Sequence, residues 1–412
     1  MNTLLALALF ALAQDSKPFT GVLDETSFAA LHELTDAEAP KLLGADIEVG
    51  GERAYLSLPE GPALGGVVVI HEWWGLNDHI KHWTDRLAKD GYAALAIDLY
   101  EGTIATTREA ARAAYGSVDR EKALATLKAA HRFLVEDERV KAQRTASIGW
   151  CFGGGWSLQL ALNEPELDAC VIYYGRLIND PKLLGAINAN VMGVFGDRDQ
   201  GIPPSAVKDF AAGMKKAKRS LELFQYDAEH AFANPSSGRY DAKNAEAAWA
   251  ETRAFLCREL WPEDSREGFL SSKRKVRATL PDGWSRGLKE NRMRLETFVT
   301  TEGHECSVSA FRGTAGGLRP NLDRWLTQMG GVRFEDDEIA ALPKIPMLGT
   351  MATLVRIDGP LSQRGKETIA EGTLFGAIAT REDETVFVKL TGPTTDLAQQ
   401  EAAFVRLCRS LR

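Results

Sequence analysis

Cys151 lies in Gly149-Trp-Cys-Phe-Gly153, a cysteine with a glycine two residues away on each side. The apolar stretch Thr145 to Gly149 before it predicts a strand. Gly153, Gly154 and Gly155 follow, and Leu158, Leu160, Ala161 and Leu162 predict a helix from about Trp156. A strand that turns sharply into a helix is a known setting for a nucleophile, held in a strained backbone region with glycines admitting neighbouring backbone. The amides and positive dipole end of the helix then face the sulfur, favouring thiolate and offering a place for an oxyanion. The same residues also fit a buried cysteine in a glycine-rich turn, so other groups must decide.

Two further stretches carry such groups. Phe195-Gly-Asp-Arg-Asp-Gln-Gly-Ile-Pro203 offers Asp197 and Asp199, and Tyr226-Asp-Ala-Glu-His-Ala-Phe232 offers His230. The chain order is nucleophile, acid, histidine, the order used by hydrolases built on a strand–turn–helix cysteine or serine. The imidazole would act as base and acid, with the aspartate fixing its tautomer. Either aspartate could instead be a turn or helix-capping residue.

The elements that must position these groups alternate strand and helix. Ala54 to Leu58, Val67 to His71, Ala93 to Ile97, Thr145 to Gly149, Ala169 to Tyr173, Val191 to Gly196 and Leu221 to Tyr226 read as strands. Helical spacing follows Ile80, Trp83 and Leu87, then Ala123 to Leu134, Val207 to Met214 and Asp241 to Leu260. This pattern predicts an α/β fold with a doubly wound, mostly parallel sheet over residues 19–261. Chemistry collects at the carboxyl ends of such strands, where Glu72, Asp98, Cys151, Asp199 and His230 all fall. After a polar linker over 262–277, residues 278–412 predict a smaller α+β domain with an antiparallel sheet. It has strands at Arg294 to Thr300, Glu305 to Phe311, Thr373 to Thr380 and Thr385 to Leu390, proline-rich loops across the 340s, and helices at Asn321 to Gln328 and Asp396 to Leu411.

The first domain resembles the dienelactone hydrolase family of α/β hydrolases. The resemblance rests on His71-Glu-Trp-Trp-Gly-Leu-Asn77, Asp98-Leu-Tyr100, Gly149-Trp-Cys-Phe-Gly-Gly154, Gly196 to Pro203 and His230-Ala-Phe232. It implies Cys151 as nucleophile, Asp199 rather than Asp197 as orienting acid, His230 as base, and Glu72 as the carboxylate that helps to generate thiolate. Held among Val69, Ile70, Trp73 and Trp74, Glu72 would have a raised proton affinity. The backbone amides of Trp73 and Phe152 would form the oxyanion hole. The implied activity is hydrolysis of a small ester or lactone through a thioester. The family's two substrate-binding arginines correspond to Glu101 and Asn234 here, so a neutral substrate is expected rather than the carboxylate-bearing dienelactone. Trp74, Tyr100, Tyr174, Phe232 and Asn234 are candidate pocket residues, and Arg108, Arg176 and Arg239 are alternative cations. The C-terminal domain resembles the small Mog1/PsbP-like domains appended to exported bacterial proteins.

The chain has 412 residues, a formal charge of −8 and an isoelectric point near 5.6, which argues against a nucleic-acid partner. No apolar run approaches the ~20 residues needed to span a bilayer. The five cysteines form no CxxC pair, and His71, His79 and His82 lack a matching carboxylate set, so no metal and no cofactor are expected. Leu4 to Ala13, followed by Gln14, has the form of an export signal over 1–13, which would make the protein periplasmic or secreted; if the segment is not a signal, the protein would be cytoplasmic. The alternative to an enzyme is an inactive hydrolase-fold scaffold that binds a protein or cell-envelope partner through its C-terminal domain.

Overall fold

The structure, a computed structural model, describes residue 35 and residues 40–261, 268–272, 275–288, 294–362 and 368–412. The expected export signal, the helical lead-in around Phe28, Leu31 and Leu34, and residues 262–267 of the expected linker lie outside the described residues. The chain divides into two compact units, Met1–Leu260 and Trp261–Arg412. Among the described residues no helix is long and apolar enough to cross a membrane.

The first unit is built on an eight-stranded sheet. Its elements are β1 (Ala45–Val49), β2 (Glu52–Ser57), β3 (Gly66–Ile70), α1 (Asp78–Lys89), β4 (Ala93–Ile97), α2 (Arg108–Ser117), α3 (Arg120–Glu136) and β5 (Thr145–Trp150). They continue with α4 (Phe152–Asn163), β6 (Ala169–Tyr173), α5 (Pro181–Leu184), β7 (Asn190–Gly196), α6 (Pro204–Ala217), β8 (Leu221–Tyr226) and α7 (Ala242–Leu260). The strand order is β1-β2-β4-β3-β5-β6-β7-β8. β1, β2 and β4 pair antiparallel, and every pairing from β4 through β8 is parallel. This is the α/β-hydrolase architecture.

β3, β4 and β6 are buried at every residue, as their unbroken apolar runs require of strands covered by helices on both faces. The covering helices bring Leu127, Leu134, Leu158, Leu160 and Phe210 into one core with Val68, Ile70, Leu95 and Ile97. Three elements escaped the sequence reading: β1, α2 and the four-residue α5. β1 is a mostly exposed edge strand without a clear apolar face. α2 is alanine-rich and buries little beyond Ala111 and Ala114, so its periodicity is weak; its start is fixed by Thr107, whose hydroxyl accepts the Ala110 amide at 3.2 Å.

The second unit contains a seven-stranded, wholly antiparallel sheet. Its elements are α8 (Phe269–Ser272), β9 (Ser285–Arg286), β10 (Arg294–Val299), β11 (Glu305–Arg312), α9 (Leu318–Gln328), α10 (Asp336–Ala341), β12 (Lys344–Met347), β13 (Thr350–Leu361), β14 (Ile369–Thr380), β15 (Glu384–Pro393), α11 (Thr394–Leu397) and α12 (Glu401–Ser410). The order is β12-β13-β14-β15-β11-β10-β9. Alternate residues of β15 serve opposite faces. Val386, Val388 and Leu390 pack with Phe404, Leu407 and Leu411, whereas Phe387 packs with Leu322, Trp325 and Leu374. The residues read as proline-rich loops in the 340s instead form β12, with Pro346 opposite Met351, followed directly by the twelve-residue β13. Proline is tolerated there because β12 is an edge strand. The single last helix expected from Asp396 is two, broken at Ala398 to Gln400.

Candidate active site

Cys151 occupies the turn between β5 and α4 with φ 51° and ψ −111°, a left-handed conformation that a side chain adopts at a cost. Its amide donates to the Tyr173 carbonyl at 3.0 Å, which pins the turn to β6. The flanking glycines are needed for contact. A Cβ on Gly149 would come within 2.2 Å of the Gly153 carbonyl oxygen, and one on Gly153 within 2.2 Å of the Ile70 carbonyl oxygen. The helix begins at Phe152, four residues earlier than its apolar spacing suggested, because the three glycines form its first turn. The Phe152 amide thereby faces the Cys151 sulfur.

Asp199 and His230 follow β7 and β8 and meet across the loops. His230 Nδ1 donates to Asp199 Oδ2 at 2.7 Å, with both side chains almost fully buried. The other Asp199 oxygen accepts the Gly201 and Ile202 amides at 2.7 and 2.9 Å. An ionised carboxylate only accepts, so this network puts the imidazole proton on Nδ1 and turns Nε2 to the thiol. Asp197 lies elsewhere, accepting from Gln225 at 2.8 Å on the exposed side of the loop. Burial works against a charge on His230, but Asp199 and Cys151 outweigh it and hold its proton affinity well above that of ordinary imidazole. Burial raises the Cys151 thiol, opposed by His230. The thiol is 3 % exposed.

Glu72 lies just past β3 and is 5 % exposed. Tyr174 Oη donates to its Oε1 at 3.0 Å, and Asn234 Nδ2 donates to its Oε2. Asn234 is braced in turn, its Oδ1 accepting the Ser236 amide at 2.8 Å and hydroxyl at 2.7 Å. Burial pushes Glu72 up to about 7, against the pull of Tyr174, His230 and Asn234, which all favour the charged form. The structure thus gathers Glu72, Cys151, Asp199 and His230 at one end of the parallel sheet.

The candidate pocket residues divide. Tyr174 and Asn234 are engaged by Glu72 rather than open to a ligand. Phe232 is fully buried and packs on Tyr174 and Tyr226, with centroids 5.7 and 5.6 Å away. Trp74 is buried, and its carbonyl accepts the Ala105 amide at 3.0 Å. Tyr100 packs on Phe152, and Trp73 on Tyr115, which also meets Phe152. Tyr115 was not singled out from the sequence, because α2 itself was not recognised there. Glu101 does not face the thiol: its side chain is 69 % exposed and pairs with Lys122 at 2.5 Å. Arg239 pairs with Glu229 at 3.1 Å, and Arg176 sits half-buried beside Gly155. His71 is structural. Its Nδ1 donates to the Glu72 carbonyl at 2.7 Å and its Nε2 accepts the Leu99 amide at 3.1 Å, tying the end of β3 to the loop after β4. Among the described residues no three His, Cys, Asp or Glu side chains form a metal-binding group.

The dienelactone hydrolase family model matches residues 53–260, the stretch that carries this sheet and site. The chain belongs to the dienelactone hydrolase family. It is 32% identical over 243 residues to a Saccharolobus solfataricus protein provisionally assigned as a carboxymethylenebutenolidase, covering 50% of this chain and 93% of the relative. It is 31% identical over 228 residues to a Bradyrhizobium protein provisionally assigned as a 2-oxo-3-(5-oxofuran-2-ylidene)propanoate lactonase, covering 51% and 92%. A crystal structure of a Klebsiella pneumoniae protein, provisionally described as a dienelactone hydrolase, aligns with a TM-score of 0.47 at 24% identity, over 53% of this chain and 99% of that one.

Proposed function

We propose that the first unit hydrolyses a small, uncharged ester or lactone through an acyl group carried on Cys151. The observation that carries this reading is the buried His230, with Nδ1 held by Asp199 at 2.7 Å and its other face toward a cysteine on a strained strand–helix turn. Relatives whose names denote butenolide and lactone hydrolysis support an ester or lactone, and the lactones those names denote carry a carboxylate, so the uncharged character rests on this chain's own residues.

The thiol, raised by burial, is protonated at rest and needs a base. Glu72, with a proton affinity near 7, is matched to take that proton at neutral pH. The thiolate adds to the carbonyl carbon, and the Phe152 and Trp73 amides hold the oxygen. Collapse expels the alkoxide or enolate, which takes the Nε2 proton of His230, charged at rest because Asp199 and Cys151 hold its proton affinity high. The neutral His230 then takes a proton from the water that hydrolyses the thioester, and Glu72 returns its proton to the departing thiolate, restoring the resting state. The two positions where the family resemblance places arginine present no cation: Asn234 is bound to Glu72, and Glu101 is paired with Lys122. That favours neutral over carboxylate-bearing substrates.

The test is a panel of neutral and charged esters and lactones, given to wild type and to Cys151→Ala. The expected result is turnover of neutral substrates by wild type and a loss of at least about a thousandfold in the variant. Equal inertness of both proteins across the panel would sink this reading and favour a binding protein on a hydrolase fold.

A further inference from the structure

Tyr100 is 4 % exposed, and its hydroxyl has no hydrogen-bond partner among the described residues. Buried polar groups are satisfied in the great majority of cases, so an orphan beside a reaction centre calls for an explanation. The ring is fixed edge-on to His71, with centroids 4.6 Å apart, and tilted against Phe152 at 5.1 Å. Asp98 accepts the Tyr100 amide at 2.8 Å and the Gly102 amide at 2.6 Å but not the Tyr100 hydroxyl. Among neighbouring ionisable groups, Cys151 acts on the phenol most strongly, ahead of Tyr115 and Asp98.

The strand order decides which side of the thiol Tyr100 approaches. Tyr100 follows β4, Trp73 follows β3, Cys151 follows β5, and His230 follows β8. Tyr100 and His230 therefore come to the sulfur from opposite flanks of the sheet. The leaving group belongs to the His230 flank, where its proton comes from. The Tyr100 flank holds the Trp73 loop, with Phe152 between, where the Trp73 and Phe152 amides of the proposed mechanism would hold the carbonyl oxygen.

We propose that the Tyr100 hydroxyl is a third donor to that carbonyl oxygen, acting beside the Phe152 and Trp73 amides as the oxygen becomes an oxyanion. The inference rests on the acyl-transfer reading above. In the step concerned, the bond between Cys151 Sγ and the carbonyl carbon forms while the π pair moves onto oxygen, where the three donors meet it. The pair then returns, the bond to the leaving oxygen breaks, and His230 supplies that oxygen with a proton. Tyr100 keeps its own proton throughout, since burial and the neighbouring Cys151 hold its phenol well above the ordinary range. A donor that never ionises and has no protein partner to leave needs no rearrangement to meet the charge.

The experiment is Tyr100→Phe, which removes no hydrogen bond within the protein and so leaves the fold intact. Steady-state kinetics on a neutral ester is paired with binding of its trifluoromethyl ketone analogue. That ketone adds to the thiol and places an oxyanion where the carbonyl oxygen would be. The expected result is a fall of about a hundredfold in kcat, the scale seen for loss of one oxyanion donor, with KM nearly unchanged. Ketone affinity falls by a similar factor, an ether analogue without the carbonyl binds both proteins alike, and Tm does not drop. Unchanged kcat and ketone affinity would overturn the proposal, as would a rise in KM with matching loss of the ether. Cys151→Ala separates the two readings: if it abolishes turnover and ketone binding while Tyr100→Phe does neither, the acyl-transfer reading stands and the Tyr100 proposal falls.

Discussion

Glu72 and Glu384 are both buried carboxylates, and they do different things. Glu384, 1 % exposed at the start of β15, accepts the Phe269 and Leu270 amides, both at 2.9 Å, with Arg381 3.8 Å away. It caps the short helix α8, and its partners are mostly fixed backbone donors. Glu72 is held by the side chains of Tyr174 and Asn234, and it shares its surroundings with His230 and Cys151. The topology accounts for the difference. Parallel strands all end on one side, so the loops after β3 to β8 converge there. Antiparallel strands end on alternate sides, so the loops of the second sheet are shared between two edges. Backbone strain is shared more widely: Cys151, Tyr174 and Ala231 carry positive φ among the gathered groups, but so do Glu101, Lys141 and Lys218 elsewhere in the first unit and Ala315 and Leu348 in the second.

Substitutions around the thiol test this comparison most severely. His230→Ala is expected to lower kcat/KM on neutral esters by about a thousandfold or more, and Asp199→Asn, which frees the wrong tautomer, by a comparable factor. Losses of less than tenfold, measured in initial-rate assays on folded protein, would remove both residues from the mechanism. Glu72→Gln is expected to cost about a hundredfold, the ordinary worth of a positioned acid–base group. The pH profile sharpens this result. Because the charged form of Glu72 is the base, wild-type kcat/KM rises with pH through about 7, and the Gln variant lacks that limb. Asn234→Ala removes a donor to the charged form, so the limb moves to higher pH; a limb that stays in place would show that the Asn234 contact does not tune Glu72. The smallest effect on catalysis is expected in the second unit. Glu384→Ala strands two backbone amides and should lower stability by about 1–3 kcal/mol, read as a lower urea midpoint, with kcat/KM unchanged. A large catalytic loss there would break the comparison.

Much of the first unit was legible in the sequence because its chemistry follows local rules. Ala169–Tyr173 could be bounded to the residue, since a buried strand of a parallel sheet is an apolar run between turns; the half-buried edge strand Leu221–Tyr226 was bounded equally well although Glu222 and Gln225 interrupt its apolar residues. The spacing of Gly149, Cys151 and Gly153 encodes backbone contacts that admit no side chain. What stayed hidden depends on distant residues. Asn234 and Glu72 are 162 positions apart, and neither residue type announces the other. The engagement of Tyr174, the exposed course of Glu101 and the burial of Phe232 are likewise consequences of tertiary packing. The proline in β12 shows a second kind of loss: Pro346 reads as a loop signal, but an edge strand with one free side accommodates it.

The central claim is that Cys151 carries the acyl group. Wild type, turning over an activated neutral ester of a hindered acid chosen for slow deacylation, can be quenched in acid and its peptides weighed by mass spectrometry. The account predicts the mass of the acyl group on the peptide containing Cys151, released by hydroxylamine as a thioester would be, and absent from Cys151→Ala. An acyl group on any other residue, or turnover by Cys151→Ala close to that of wild type, would contradict it.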